Sequence, residues 1–476
     1  SLIIPVHNEI DQLDYTLKKL IKLKTKINQL EFVFIDDFST DGTFKFLKKY
    51  SKNKKFIKFI RNKKKGLGSA IQEGIKKSKF DYVCIFMCDM SDDIKDVIKY
   101  YKLMPIFPAV GYDEINTAYI DFHDDNLIYL TKNGIVFKTN FQDQKITFSP
   151  IKSNIYNFLE KRIEEKNASI NYFNPYTISK FGIKDLHIDK NEIYISYVKR
   201  FNNNEYNTSI IKGEIKDSII FKEFFSPNNF ISSKIREFSP IQAGGKIRNY
   251  KKDSIILSVG EFRDRLKSQD LSSVNGKIIA ISKKNAGYRI VSRGHRNPLG
   301  LDYNKNYDQI ISTDMGPYGG DEINLQNNTN KTENFGWPIS NYGVHYAIEA
   351  SKNDSHTPDI KRVLKDAPLY KSHKDYGFIE PIKYYELNPA VAEVRFIKNE
   401  NNQVEFILST LGLDTIERPL ANHLIHYKYY IDKEKIELLN KYNVAERVRD
   451  IAFDEKKRKL YYVGETSGVL GILNLN

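Results

Sequence analysis

Cysteine is nearly absent: Cys84 and Cys88 are the only two among 476 residues. Two thiols make neither a disulfide framework nor a zinc site, so both are expected to be reduced packing residues on one face of a strand. No run of about 18 apolar residues occurs, which excludes a helix built to span a bilayer. The start, SLIIPVHNEI, has no basic segment leading into an apolar one, so it does not read as a signal peptide. It also lacks an initiator Met and begins inside a strand, as expected of a chain whose true start is lost.

What the chain does hold is apolar side chains, 41 % of the total, with 13 % aromatics. That suffices for sizeable cores, and the length suits two or three domains. The net charge is +14. An anionic partner such as a phosphate, a glycan or a lipid surface is one reading of it. Apart from short runs such as Lys63-Lys64-Lys65 the cations are scattered, which suits surface solvation, and no nucleic acid partner is expected.

Two organisations follow one another. Up to about residue 104 strand and helix signals alternate. Leu2-Ile3-Ile4 reads as a buried strand, then Leu13, Leu17, Leu20 and Ile21 recur at helical spacing. Phe32–Ile35 is a second strand ending in Asp36-Asp37, and Ser39, Thr40 and Asp41 supply cap chemistry for a helix through Phe44 and Leu47. A third strand is expected at Phe56–Ile60, a helix from Leu67 to Ile75, and a fourth strand at Tyr82–Met87. Repeated βα units predict a parallel sheet with its ligand at the carboxyl ends of the strands.

Beyond about residue 110 short strands separated by Asn, Asp, Lys and Gly turns take over. About six units recur, each a short apolar stretch, a turn and a denser strand. The denser strands lie at 127–130, 192–195, 254–257, 309–312, 404–408 and 459–463. This fits a propeller with long loops, with a β-sandwich followed by further sheets as the alternative.

In the first part, Pro5-Val6-His7-Asn8-Glu9, the run from Asp36 to Thr43, and Asp89 all stand at strand ends. Carboxylates gathered there suit a base, ribose hydroxyls and a divalent cation screening a diphosphate. SLIIPVHNE, FVFIDDFSTDGT, KGLGSAIQEGI and FMCDMSDD resemble the family 2 glycosyltransferases over residues 1–104. The resemblance implies a partial α/β domain with a GT-A-like parallel sheet that binds a nucleotide sugar through Pro5, Asn8, Glu9, Asp36, Asp37 and Asp89. It also implies Mg²⁺ or Mn²⁺ at Asp89, weakened because Met87 stands where the family has its first carboxylate; a thioether is a poor ligand for either ion. The half that supplies the family's catalytic base is not evident, so this part is not expected to transfer sugar by itself. A natural fusion and a joint between fragments of neighbouring genes both fit the arrangement.

The densest chemistry lies at 293–346: RGHRNPLGLDYN, ISTDMGPYGGDEINL and NFGWPISNYGVHY. Gly and Pro clusters beside charges describe tight loops that aim carbonyls at one point, an arrangement for a hard cation. With QDLSSVNGKIIAI and ERVRDIAFD, these segments resemble the glucose/sorbosone dehydrogenases over most of 115–476. The resemblance implies a six-bladed all-β propeller over 105–476 that binds pyrroloquinoline quinone (PQQ) and Ca²⁺ and oxidises an aldose or related sugar alcohol. It places Arg296, Asn297, Arg447 and Arg449 on the quinone. The carbonyls of Gly316 and Pro317 fall on Ca²⁺, with Asp321 and Glu322 completing or supporting that site. Trp337 falls near the sugar, under the loop, or in the core.

Gln242, within Pro240–Lys246, occupies the place of the family's general-base His. An amide has no useful basicity near neutral pH, and such a base is typically worth about 10²–10⁴-fold in rate. His295 and His345 are the substitutes within the matched segments. No Lys stands near Ser409–Gly412, where the family's cofactor-binding Lys is expected. Three functions therefore remain: a sugar dehydrogenase; a non-catalytic, Ca²⁺-stabilised propeller that binds a glycan or other polar ligand; and a glycosyltransferase using a nucleotide-sugar donor. The chain as it stands suits the cytoplasm, whereas such propellers are often exported, and the sequence does not fix an oligomeric state.

Overall fold

The computed structural model describes residues 1–26, 30–91, 117–159, 182–345, 360–412 and 420–475, apart from positions 53, 81–82, 90, 133, 143–144, 203, 236, 401, 445 and 466. The chain divides into two compact units, Ser1–Tyr112 and Asp113–Asn476. The expected junction at Leu103-Met104-Pro105 lies outside the described residues, as does Tyr82.

In the first unit β1 (Leu2–Val6), α1 (Ile10–Lys26), β2 (Phe32–Asp36), α2 (Thr43–Ser51), β3 (Ile57–Arg61), α3 (Leu67–Lys77) and β4 (Cys84–Ile85) alternate. The sheet order is β3-β2-β1-β4, with all pairs parallel. β1 and β2 are buried along their whole length, which is why they read as continuous apolar runs. Leu13, Leu17 and Leu20 of α1 pack on one face with Leu2, Ile4 and Phe34, while Ile3, Val33, Ile35 and Ala70 fill the other. A Cβ on Gly74 of α3 would fall 2.5 Å from Ile3 Cγ2, so close helix–sheet packing requires glycine there.

The second unit is an all-β propeller of six blades. Their innermost strands are Ala118–His123, Ile183–Asp189, Gly244–Tyr250, Pro298–Asn304, Val391–Glu400 and Val448–Asp454, numbered here as blades 1 to 6. Each runs by a hairpin into a second strand. The six dense strands seen in the sequence are these second strands: Asn126–Thr131, Glu192–Asn202, Ser254–Val259, Gln309–Asp314, Gln403–Thr410 and Lys459–Gly464. Among the described residues blade 6 has three strands where the others have four or five.

Period-two alternation builds the ring. Ile255 and Leu257 of blade 3 join a cluster with Tyr194 and Ile210 of blade 2, while the intervening Ile256 joins Leu301 and Ile310 of blade 4. Each further pair of neighbours shares a cluster of its own, including blade 6 with blade 1. Carboxylates then staple blade to blade. Asp450 accepts from Ile120 N, Asp121 from Ile188 N, Asp185 from Ile247 N and Asp302 from Phe396 N, all at 2.8 Å.

At the axis the Lys246 ammonium lies 3.0 Å from Asp185, 2.6 Å from Glu393 and 2.9 Å from Asp450. Arg248 bonds Asp185 and Glu393 at 2.8 and 2.7 Å, and Arg395 bonds Glu393 at 2.8 Å. The three carboxylates stand close enough together to hold a metal ion, but Lys246 already supplies the cation there. Burial would raise the Glu393 carboxyl; Arg248, Arg395 and Lys246 outweigh it and hold it well below its usual range. At Asp450 burial prevails, and the carboxyl is raised.

Removing one partner from such a buried network is costly because the remaining charges are left uncompensated. Lys246→Met should therefore lower the unfolding free energy of the full chain by about 3–5 kcal/mol, read from urea denaturation curves.

Candidate functional site

In an antiparallel blade the start of the first strand and the end of the second lie at the same end. This topology gathers Gln242, Arg296, Asn297, Arg447 and Arg449 from the starts of innermost strands. It adds Glu261, Asp314 and Glu465 from the ends of second strands.

Gln242 is buried, with Nε2 donating to Glu261 Oε1 (2.7 Å) and Oε1 accepting from Arg296 (2.9 Å) and Arg263 (3.2 Å). Glu261 Oε2 and Trp337 Nε1 are both buried with no hydrogen bond of full geometry, but the indole N–H lies close enough to the carboxyl to favour its ionised form. Burial pushes the Glu261 carboxyl up to about 7, against the pull of Arg296 and Arg265. Arg296 also donates to the carbonyls of Met315 (2.7 Å) and Gly316 (2.8 Å), and its guanidinium lies 5.5 Å from the Trp337 ring. Asp314 clamps this turn, accepting from Arg296 N (3.0 Å) and Asn297 N (2.7 Å).

Neither histidine offers a ready proton acceptor. His295 is fully buried, with Nε2 2.8 Å from Ser292 Oγ and Nδ1 3.3 Å from Asp314. His345 Nε2 lies 2.6 Å from the Ala367 carbonyl, and burial lowers its imidazole below the usual value.

The segment expected to hold calcium is committed to the protein. The Gly316 carbonyl accepts from Arg296, and that of Pro317 from Asn388. Asp321 accepts Gly316 N on one oxygen and Val391 N on the other, at 2.9 and 3.1 Å. Glu322 is bonded to Asn341 at 2.7 Å and paired with His373 at 3.2 Å. A cation on the Gly316 carbonyl would stand against a guanidinium, so this donor set does not fit Ca²⁺. The reason is physical: the Gly316 carbonyl faces Arg296, and that of Pro317 faces Asn388.

Arg447 and Arg449 converge on Glu465, which is 1 % exposed; the Arg449 Nε bond is 2.8 Å. Burial would raise this carboxyl, but Arg449 and Arg447 hold it down at about 2.

In the first unit the loops after β1 and β2 interlock. Pro5 lies within β1, in register with Ile35. Asn8 and Phe38 both have positive φ, 58° and 61°. Asn8 Oδ1 accepts from Thr40 N (2.8 Å), while Asp41 accepts from Thr43 N (3.0 Å) and Ile10 N (3.1 Å), capping two helices at once. Asp37 accepts from Gly66 N (2.9 Å) and Asn62 (2.8 Å), a brace for the loop after β3. Asp36 is fully buried; Arg61 Nε is 3.5 Å away, yet neither carboxylate oxygen has a hydrogen-bond partner. Burial, then Asp89 and Asp41, raise the Glu9 carboxyl, so these three acids share one field. Asp89 is exposed and accepts from Ser91 N at 2.9 Å.

Comparison with known proteins bears on both units. The glucose/sorbosone dehydrogenase family model matches residues 178–470. The chain belongs to this family. The model of glycosyl transferase family 2 matches residues 1–168, so a glycosyltransferase 2 domain stands at the N-terminus. Its match runs past residue 118, into strands that the fold places in blade 1.

Aldose sugar dehydrogenase YliI of Escherichia coli is 28 % identical over 170 residues, 33 % of this chain and 41 % of that protein. Probable glycosyltransferase YdaM of Bacillus subtilis is 32 % identical over 93 residues, 19 % of this chain and 22 % of that protein. The matches thus span under half the length of either relative. Among solved structures, a glucose dehydrogenase superposes with a TM-score of 0.54 at 16 % identity, covering 77 % of this chain and 99 % of that one. The soluble aldose sugar dehydrogenase of Escherichia coli gives 0.52 at 18 %, covering 76 % and 97 %. At those identities the likeness is one of fold.

Glu261, Asp314 and Glu465, which also stand at this end of the propeller, are not among the residues the sequence singled out. A signal existed, because Val259-Gly260-Glu261 and Val463-Gly464-Glu465 repeat the same triplet at corresponding ends of two blades. A carboxyl held below its ordinary value stabilises the fold above that value and ceases to do so as pH falls through the lowered one. Glu465→Gln should thus cost about 2–3 kcal/mol at pH 7, with the difference narrowing as pH drops from about 4.5 toward 2. Thermal melts across that range check it.

Proposed function

We propose that the propeller is a PQQ-dependent sugar dehydrogenase whose rate is limited by Gln242. The observation that carries this is the gathering of Arg296, Asn297, Arg447 and Arg449, far apart in sequence, at one end of the ring. Guanidinium forks suit a planar polycarboxylate. When bound, the quinone supplies the hydride acceptor for an aldose or related sugar alcohol. The chain's own part is to hold ligands and move a proton. Arg296 is braced by Gln242 and two carbonyls, so it presents a fixed donor. The Gln242 amide cannot take a proton. That task falls to Glu261, whose carboxyl is buried beside Gln242 and pushed up to about 7 by that burial. No step is assigned to Ca²⁺.

One observation favours a second reading, a propeller that binds a sugar or glycan without oxidising it: Gln242 is pinned by three hydrogen bonds, and both neighbouring histidines are engaged. Calorimetric titration of PQQ into the full chain, followed by assays with aldoses, separates the two. Binding lost in the Arg447→Ala/Arg449→Ala variant supports the dehydrogenase reading, and no binding sinks it. Gln242→His sets an imidazole beside Glu261 and should raise the rate by about 10²–10⁴-fold. An unchanged zero in an otherwise quinone-binding variant leaves the non-catalytic reading.

For the first unit we propose a nucleotide-sugar site centred on Asp36. A buried carboxylate without a hydrogen-bond partner is costly unless a ligand completes it. Titration with nucleoside diphosphates should give binding that Asp36→Asn weakens at least about tenfold, in keeping with one charged hydrogen bond. Equal affinity in the variant would refute that role.

A further inference from the structure

The outer rim of the ring is finished differently from the mouth, where Arg296, Arg447 and Arg449 gather. Among the described residues blades 1 to 5 each have a fourth strand, and blade 6 stops at its third, Leu470–Asn474. Charged side chains on an outer strand discourage pairing with another chain. The outermost strand of blade 5, Lys435–Asn443, has them in Lys435, Glu437 and Lys441. The outer strand of blade 6 does not. From Val469 to Leu475 the sequence reads VLGILNL, and Val469 and Ile472 are 49 % and 41 % exposed.

The register decides which backbone groups point off this edge. Leu475 N donates to the Arg458 carbonyl, and the Val469 carbonyl accepts from Gly464 N, both at 2.9 Å. Pairing with Lys459–Gly464 runs between them without a bulge. Hydrogen-bonded and non-bonded pairs alternate along an antiparallel ladder. Gly471 and Leu473 therefore bond inward, while the N–H and C=O of Leu470, Ile472 and Asn474 face outward.

We propose that this edge joins two copies of the chain, paired antiparallel about a two-fold axis at Ile472. In that register Ile472 meets the partner's Ile472, and Leu470 meets the partner's Asn474. Every outward N–H then finds an outward C=O, as a self-complementary interface requires. The two exposed isoleucines cover each other on the axis. Charge favours the same arrangement. Lys456 is exposed in the turn beside the Asn474 end of the edge, whereas Glu446 bonds Ser467 at 2.7 Å beside the Leu470 end. Antiparallel pairing sets the basic end of each copy toward the acidic end of the other. The inference does not depend on the sugar-oxidising reading.

Analytical ultracentrifugation of the full chain should give the mass of two chains. Ile472→Lys places like charges on the axis and should give the mass of one, with a melting curve to establish that it folds. Ile472→Cys tests the register with a milder change. Directly opposed residues in a hydrogen-bonded pair have Cα atoms about 5.5 Å apart, within disulfide range. Mild oxidation should therefore link Ile472→Cys into a covalent dimer. Val469→Cys would stand about 20 Å from its copy and should stay unlinked, as should the parent with only Cys84 and Cys88. A parent that is monomeric at every concentration overturns the proposal, as does a dimer that Ile472→Lys leaves intact. Slow hydrogen exchange at the Leu470 and Ile472 amides of a monomer would also overturn it, because a segment of the same chain would then hold the edge.

Discussion

An ammonium ion on the axis holds the propeller's register. Lys246 reaches carboxylates from blades 2, 5 and 6 at once, and Arg248 and Arg395 complete the neutralisation. Charges this far from water gain little net stability from pairing, but they tolerate no substitute geometry. Hydrophobic clusters between blades would accept small slips of one sheet against another. The axial ions would not, because a displaced carboxylate would be left buried and uncompensated. The mouth inherits this rigidity, since Gly245, Arg449 and Lys184 are covalent neighbours of Lys246, Asp450 and Asp185.

Much of the fold was legible because it depends on local periodicity. Each dense apolar stretch beyond residue 110 proved to be the second strand of a blade, the one flanked by sheet on both sides. The βα rhythm of the first unit was legible for the same reason. Local periodicity does not say which distant groups will face one another. Arg447 and Arg449 could be marked as an anion-binding pair, but not that Glu465 would already hold them. Gly316 and Pro317 could be marked as a carbonyl-rich turn, but not that Arg296 would claim one of the carbonyls. Lys246 sits in an unremarkable strand, and only ring closure gives it meaning.

The two units reach their polar sites by opposite means. In the first, parallel strands end together and the carboxylates gather at one edge by topology alone, leaving Asp36 buried without hydrogen bonds. In the propeller the mouth is assembled from every blade and its charges are largely paired before any ligand arrives. Arg447 and Arg449 are thus already engaged by Glu465.

Ring closure also orders events in time. The hydrogen bond from Ile120 to Asp450 joins residues 330 positions apart, and the cluster that unites Tyr129 and Phe137 with Tyr461 and Val463 is of similar span. Contacts of such range are slow to form, because the loop-closure entropy must be met before they stabilise anything. During synthesis blade 1 emerges long before blade 6, with the face that will meet it still apolar and uncovered. The nascent propeller therefore spends most of its translation with one exposed flank, and its solubility in that interval depends on how soon the last blade follows.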